Sequence, residues 1–168
     1  MTGLVVSRTE RNALQYLKVV TALMVRPLAL ADIAAWKRMR CALWPELSEP
    51  ETNNDCEDIL AHPERFAVFV SEENGTDTGF LEASLRLYVD GCTTSPVAYI
   101  EGWYVDPQFR GVGIGRALVE AAEEWARSKG CTEMASDALL ENVDSQRAHL
   151  RLGYAEVERL VIFRKNLE

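Results

Sequence analysis

The segment Arg110-Gly111-Val112-Gly113-Ile114-Gly115-Arg116 constrains this chain more than any other. It follows a strand-like apolar run, Ala98-Tyr99-Ile100-Glu101-Gly102-Trp103-Tyr104-Val105. It opens a periodic helix over residues 113–129, with Ala117, Leu118, Ala121, Ala122 and Trp125 on one face. Glycine lacks the Cβ that holds a ligand away from the main chain. The first turn of a helix also carries N–H groups with no intrahelical acceptor and the positive end of the helix dipole. Strand, glycine loop and helix together predict a phosphate or pyrophosphate site.

Spacing decides between phosphate loops. The dinucleotide fingerprint G-x-G-x-x-G, begun at Gly111, requires glycine at Arg116; begun at Gly113, it requires glycine at Leu118. No Gly-Lys-Ser/Thr follows, so the Walker loop is excluded as well. What remains is Arg-x-x-Gly-x-Gly after Val105-Asp106-Pro107. This arrangement resembles the acetyl-coenzyme A loop of the GNAT family of N-acetyltransferases. The resemblance implies that the backbone amides of Arg110, Gly111, Val112, Gly113, Ile114, Gly115 and Arg116 hold the cofactor pyrophosphate.

Composition narrows the rest. A chain of 168 residues is expected to form one domain with a sizeable core. A formal net charge of −8 argues against a nucleic-acid partner and suits a cationic one, although much of it serves solubility. Cys41, Cys56, Cys92 and Cys131 are widely spaced and only two histidines accompany them, so no zinc site is expected. They read as reduced thiols of a cytoplasmic protein. No apolar run approaches 18 residues, so no membrane span is expected. Residues 1–23 read as an N-terminal extension, non-native or from an upstream start, with the domain proper at 24–168.

Ile33, Trp36, Met39 or Arg40, Leu43 and Trp44 recur at helical spacing until Pro45 stops the helix. A second helix is predicted over 52–60. Phe66-Ala67-Val68-Phe69-Val70 is a strand, Asn74-Gly75 a turn, and residues 79–88 the returning strand. After the long helix, 131–136 reads as a strand, 142–152 as a helix closed by Gly153, and 154–165 as a last strand. The predicted class is α+β (mixed α/β): a central mixed, mostly antiparallel sheet flanked by helices, in the order β-α-α-β-β-β-α-β-α-β. This order is also that of the GNAT fold.

Further motifs extend the resemblance to about residues 24–168. Asn142, His149, Gly153 and Tyr154 match the spacing of the family's pantetheine-contacting segment. The family's usual tyrosine, which can protonate the departing thiolate, is replaced by His149. Two roles stand open for it: general acid, with a pKa near neutrality, or packing along the cofactor groove. Met134-Ala135-Ser136-Asp137, Glu141-Asn142, Glu101-Gly102, Leu43-Trp44-Pro45 and Gly79-Phe80-x-x-Ala83-Ser84-x-Arg86 look like the aminoglycoside 6'-N-acetyltransferases.

That likeness implies an aminoglycoside substrate, acetyl-coenzyme A as co-substrate, no metal and a homodimer. It assigns Glu101 and Asp137 to the substrate's amino groups, and Trp44 and Tyr88 to the flanks of its rings. A polycation does need carboxylates and aromatic faces. Glu82 and Glu158 are weaker acidic candidates, for which a solvated surface position is the simpler reading. The backbone N–H near Tyr104 or Val105 is the expected donor to the thioester oxygen. Polyamine, streptothricin or protein N-terminus acetylation are neighbouring possibilities. A non-catalytic acyl-coenzyme A-binding module is the alternative of a different class.

Overall fold

Alternating apolar residues on adjacent strands give a twisted sheet with two apolar faces, and each face is covered by helices. The computed structural model describes residues 23–167. The expectation for residues 1–23 therefore falls, apart from Leu23, outside the described residues. The strands are β1 (Met24–Pro27), β2 (Phe66–Glu73), β3 (Thr76–Arg86), β4 (Val97–Val105) and β5 (Met134–Ser136). They lie in the order β1-β2-β3-β4-β5. The first three pairings are antiparallel and β4 runs parallel to β5. The mixed, mostly antiparallel sheet is as the sequence predicts.

Helices α1 (Ile33–Leu43) and α2 (Glu49–Ala61) cover one face, α3 (Ile114–Ser128) the other, and α4 (Val143–Arg151) follows β5. α1 ends one residue before Trp44 and two before Pro45. α2 starts earlier than predicted because Ser48 and Glu51 form a capping box, with Pro50 in the first turn. Trp36, Met39, Cys56, Val68, Val70 and Phe80 are packed together beneath α1 and α2. Phe69, Leu81, Ala83, Ile100, Leu118 and Ala122 form the core beneath α3.

One predicted element is absent. Tyr154 still packs against the α3 core, but residues 155–167 have no regular structure. Val161, Ile162 and Phe163 are 77%, 90% and 90% exposed. A strand exists only through hydrogen bonds to a neighbour, and β5 at the sheet edge pairs with β4 alone. The apolar character that suggests a strand is real, but the segment pairs with no strand among the described residues.

Leu118 is fully buried between α3 and the sheet. Leu118→Ala is expected to lower stability by about 2–5 kcal/mol, from lost burial plus the cavity left behind. Urea denaturation of the two chains measures it.

Candidate active site

The site begins with an irregularity in the sheet. Glu82 of β3 pairs with Gly102, but the next residue, Ala83, pairs with Ile100. Glu101 is thus an extra residue, a β-bulge in β4. The bulge changes the phase of the strand. Ile100 and Tyr104, four apart, share a face in a regular strand, yet Ile100 lies in the α3 core and Tyr104 in the α1–α2 core.

Glu101 is received by a row of polar residues on β3. Arg86 donates from Nε to Oε1 at 3.1 Å and from Nη2 to Oε2 at 2.6 Å. Ser84 Oγ also donates to Oε1. The Arg86 guanidinium lies 3.4 Å from the centroid of the Tyr99 ring. Tyr99 in turn donates its hydroxyl to Asp137 Oδ1 at 2.8 Å. Burial, the Asp137 bond and nearby negative charge all hold the Tyr99 proton on. Glu101 and Asp137 are therefore joined through Arg86 and Tyr99.

Glu82 corrects the surface reading. It is 2% exposed, accepts from Trp36 Nε1 at 2.7 Å, and meets Arg40 Nη1 at 2.5 Å. Burial pushes its carboxyl up, against the pull of Arg40. Arg40 also reaches Asp55 at 2.8 Å, and its guanidinium sits 4.7 Å from the Trp44 ring centroid. The other side of Trp44 rests on the main chain at Gly102, where an added Cβ would lie 2.4 Å from the indole. Arg40 is four residues before Trp44, one helical turn away. The period-2 run Glu82, Ser84, Arg86 on a central strand was the available signal for this row.

Arg40, Glu82, Arg86 and Glu101, but not Asp137 or Tyr99, line an open cleft of about 990 Å³, at the upper end of the ~300–1,000 Å³ usual for small-molecule sites. Trp44, Glu101, Arg86, Asp55 and Asp58 form its walls and Tyr88 its rim. Tyr88 is 73% exposed and donates to Asp90 at 2.7 Å. Glu158 is not a wall of this cleft; it lies on the exposed C-terminal segment, close enough to Tyr88 for its charge to be felt there.

The second half of the site lies along β4. Pairing with β5 stops at Ile100, so residues 101–105 have no strand partner on that side among the described residues. The Asp106 N–H donates to Thr78 O across to β3. Strand alternation directs the Tyr104 N–H the same way and the Val105 N–H to the open side. Of the two expected donors, Val105 is the one left available. Tyr104 itself is buried, its hydroxyl donating to Asp106 at 3.0 Å.

At the end of β4, Arg110 Nε donates to Val105 O at 2.9 Å and its guanidinium lies 5.9 Å from the Tyr104 ring. Gly111 and Gly113 both take positive φ, 83° and 97°, which a side chain at those positions would resist. Gly113 is the N-cap of α3 and brings no capping side chain. The first bond of the helix runs from Ala117 N–H to Gly113 O. The N–H groups of Ile114, Gly115 and Arg116 are left without intrahelical acceptors. Gly115 lies against Trp103, where a Cβ would sit at 2.8 Å. Val112 is exposed beside them, and Arg116 reaches toward Arg151 O at the end of α4.

Asn142 caps α4, accepting from Ser145 N–H at 3.1 Å through Oδ1. His149 donates from Nδ1 to Ser145 O at 2.8 Å. In the neutral ring Nε2 then carries the lone pair. That nitrogen, Trp103 Nε1 and Tyr154 Oη are buried without hydrogen-bond partners among the described residues. The imidazole stands edge-on to both aromatic rings, with centroids 5.4 and 5.5 Å away.

All four cysteines are free, and burial pushes the Cys56 thiol up to about 11. Among the described residues, no group of three or more His, Cys, Asp or Glu could hold a metal ion.

A bulged acidic strand, an unpaired strand edge and an uncapped glycine-led helix define the chain's class. The model of the acetyltransferase (GNAT) family matches residues 32–154, and the chain belongs to that family. Within it the chain is 44% identical, over 86% of its length and 97% of the relative's, to an aminoglycoside N(6')-acetyltransferase type 1 of Klebsiella aerogenes. It is 41% identical to the enzyme of that name from Stenotrophomonas maltophilia, over 89% and 97% of the two chains. The solved structure of AAC(6')-Iy with the bisubstrate analogue CoA-S-monomethyl-acetylneamine superposes with a TM-score of 0.83 at 38% identity. That alignment covers 86% of this chain and 99% of the other.

Removing one partner of the Arg40–Glu82 pair strands a buried charge. Glu82→Leu or Arg40→Met alone is expected to cost about 3–5 kcal/mol, while the double variant recovers much of that loss. Denaturant titration of the four chains measures the coupling.

Proposed function

We propose that the protein transfers the acetyl group of acetyl-coenzyme A to the 6'-amino group of an aminoglycoside and so confers aminoglycoside resistance. The observation that carries this reading is the adjacency of two features. An acid-lined cleft meets the bulge at Glu101, and the unpaired edge of β4 leads from there to an uncapped helix start.

Acetyl-coenzyme A supplies an acetyl thioester. The chain's own groups do the rest. The N–H groups from Gly111 to Arg116 suit its pyrophosphate, with Arg110 bracing the loop against β4. The open edge at residues 101–105 suits the extended pantetheine arm, and the free amide side of Asn142 can meet its carbonyls. The Val105 N–H suits the thioester oxygen, where negative charge grows during attack. Glu101 and Asp137 hold the substrate's amino groups, with Trp44 and Tyr88 beside its rings. Proximity of the two substrates supplies much of the rate. The edge-on packing of His149 against Trp103 and Tyr154, with Nδ1 donating to Ser145 O, supports the packing role over that of general acid. A thiolate with a pKa near ~8.5 can leave without a dedicated acid.

The same reading includes a cytoplasmic location and a homodimer. Four unpaired thiols support the first. The second is supported by the C-terminal segment and the free edge of β5. Val157, Leu160, Val161, Ile162 and Phe163 are exposed on one chain, and β5 lacks an outer neighbour among the described residues. Two copies can satisfy each other by exchanging this segment, giving a closed twofold pair. Glu158 then lies near the junction of the two copies.

Coenzyme A release assayed across aminoglycosides, polyamines, streptothricin and peptides tests the activity. Release is expected with 6'-amino aminoglycosides and lost with a 6'-hydroxyl analogue. Release with polyamines or peptides alone overturns the substrate. Asp137→Asn is expected to lower kcat/KM by about tenfold or more, from the ~1.5–3 kcal/mol of a hydrogen bond to a charged group. In light scattering, Val161→Asp with Phe163→Asp is expected to turn a dimer into a monomer.

A further inference from the structure

The site holds its own cation. Arg86 forms a two-point pair with Glu101, stacks on Tyr99, and lies within the field of Asp137. Its side chain is 37% exposed and that of Glu101 28%, so both face the cleft rather than the core. Oε1 of Glu101 receives two donors, Ser84 and Arg86, while Oε2 receives only one. A carboxylate oxygen has two lone pairs, so Oε2 keeps one for a further donor.

This bears on a conflict in the chemistry. The attacking nitrogen needs a free lone pair, yet an alkylammonium beside a bare carboxylate holds its proton more tightly. The other charged groups around Glu101 do not resolve it. On β3, Glu82 is matched by Arg40 of α1. In α2, Asp55 is also taken by Arg40, and Asp58 meets His62. Beyond β5, Asp137 takes the Tyr99 hydroxyl, and Tyr88 at the rim takes Asp90. Arg65 lines the far wall with its guanidinium over Phe66. Among the charged groups of the described residues, Arg86 alone is paired to Glu101.

Resting on the reading that Glu101 receives the reacting amine, we propose that Arg86 is the positioning residue that cancels the charge of Glu101 while leaving it an acceptor. The amine is then held by a hydrogen bond without being locked as ammonium. The ammonium gives one proton to water before attack. As the C–N bond forms and the C–S bond breaks, the nitrogen loses a second proton, which balances the one taken by the departing thiolate. The pair also removes net attraction for simple monoamines, so a substrate must find further acids in the cleft.

The test follows kcat against pH, read as coenzyme A release at saturating acetyl-coenzyme A and a saturating 6'-amino aminoglycoside. In Arg86→Gln the rising alkaline limb is expected to move up by about one pH unit, the low end of a neighbouring-charge effect. Activity then falls about tenfold at neutral pH and converges with the parent chain at high pH. Arg86→Lys, which keeps the charge, is expected to keep the parent limb. A purely structural role lowers kcat equally at every pH. An unshifted limb in Arg86→Gln, or a shifted one in Arg86→Lys, overturns the proposal. If Arg86→Gln folds poorly or does not turn over, Arg86→Lys decides: a limb unmoved from the parent's supports charge cancellation and a limb moved upward rejects it. Absence of turnover by the parent chain sinks the aminoglycoside reading itself, which is a different result.

Discussion

A single surplus residue in β4 organises the molecule. By opposing two residues of β3 with three of its own, β4 bulges at Glu101 and reverses the facing of everything after it. Tyr104 is thereby sent into the α1–α2 core and Trp103 and Val105 toward α3. The strand also parts from β5 just beyond Ile100. An acidic side chain and an unpaired main-chain edge thus come from the same distortion. In the proposed function the two serve different substrates, the acid a cationic amine and the open edge an extended thioester carrier.

Around that bulge, charge is placed in matched pairs. Arg40 serves Glu82 and Asp55 and presses on Trp44, while Arg86 serves Glu101 and stacks on Tyr99. Each guanidinium spans an acid and an aromatic ring, the geometry for which arginine is suited and lysine is not. Buried ion pairs of this sort add little net stability but are costly to halve. Their effect here is to hold Trp44 and Glu101 in fixed positions along the cleft. The acids at Glu82 and Glu101 are thus matched by arginines, while Asp137 receives only the neutral Tyr99 hydroxyl.

The glycine loop was legible because its chemistry is local. Positive φ at Gly111 and Gly113 and an uncapped first turn follow from residues adjacent in the chain. Strand–turn–strand order around Asn74-Gly75 was legible for the same reason. Glu82 was not: a lone carboxylate reads as solvated, and its partners Trp36 and Arg40 lie more than forty positions away. Arg86 stood in a recognised motif, but nothing in its neighbours along the chain pairs it with Glu101. The last strand failed differently. Its apolar run Leu160-Val161-Ile162-Phe163 suits a strand, yet pairing is a property of two strands, and the segment meets no second one among the described residues.

By itself the sequence determined the element order as far as the last helix, the glycine turn into the long helix and the family resemblance, because periodicity, glycine placement and helix-end chemistry act over a few residues. Only the tertiary structure decided which strand bulges, which acids are neutralised and which backbone nitrogen of β4 stays free. Those depend on register between strands and on contacts across the sheet, where a shift of one residue turns every following side chain to the opposite face.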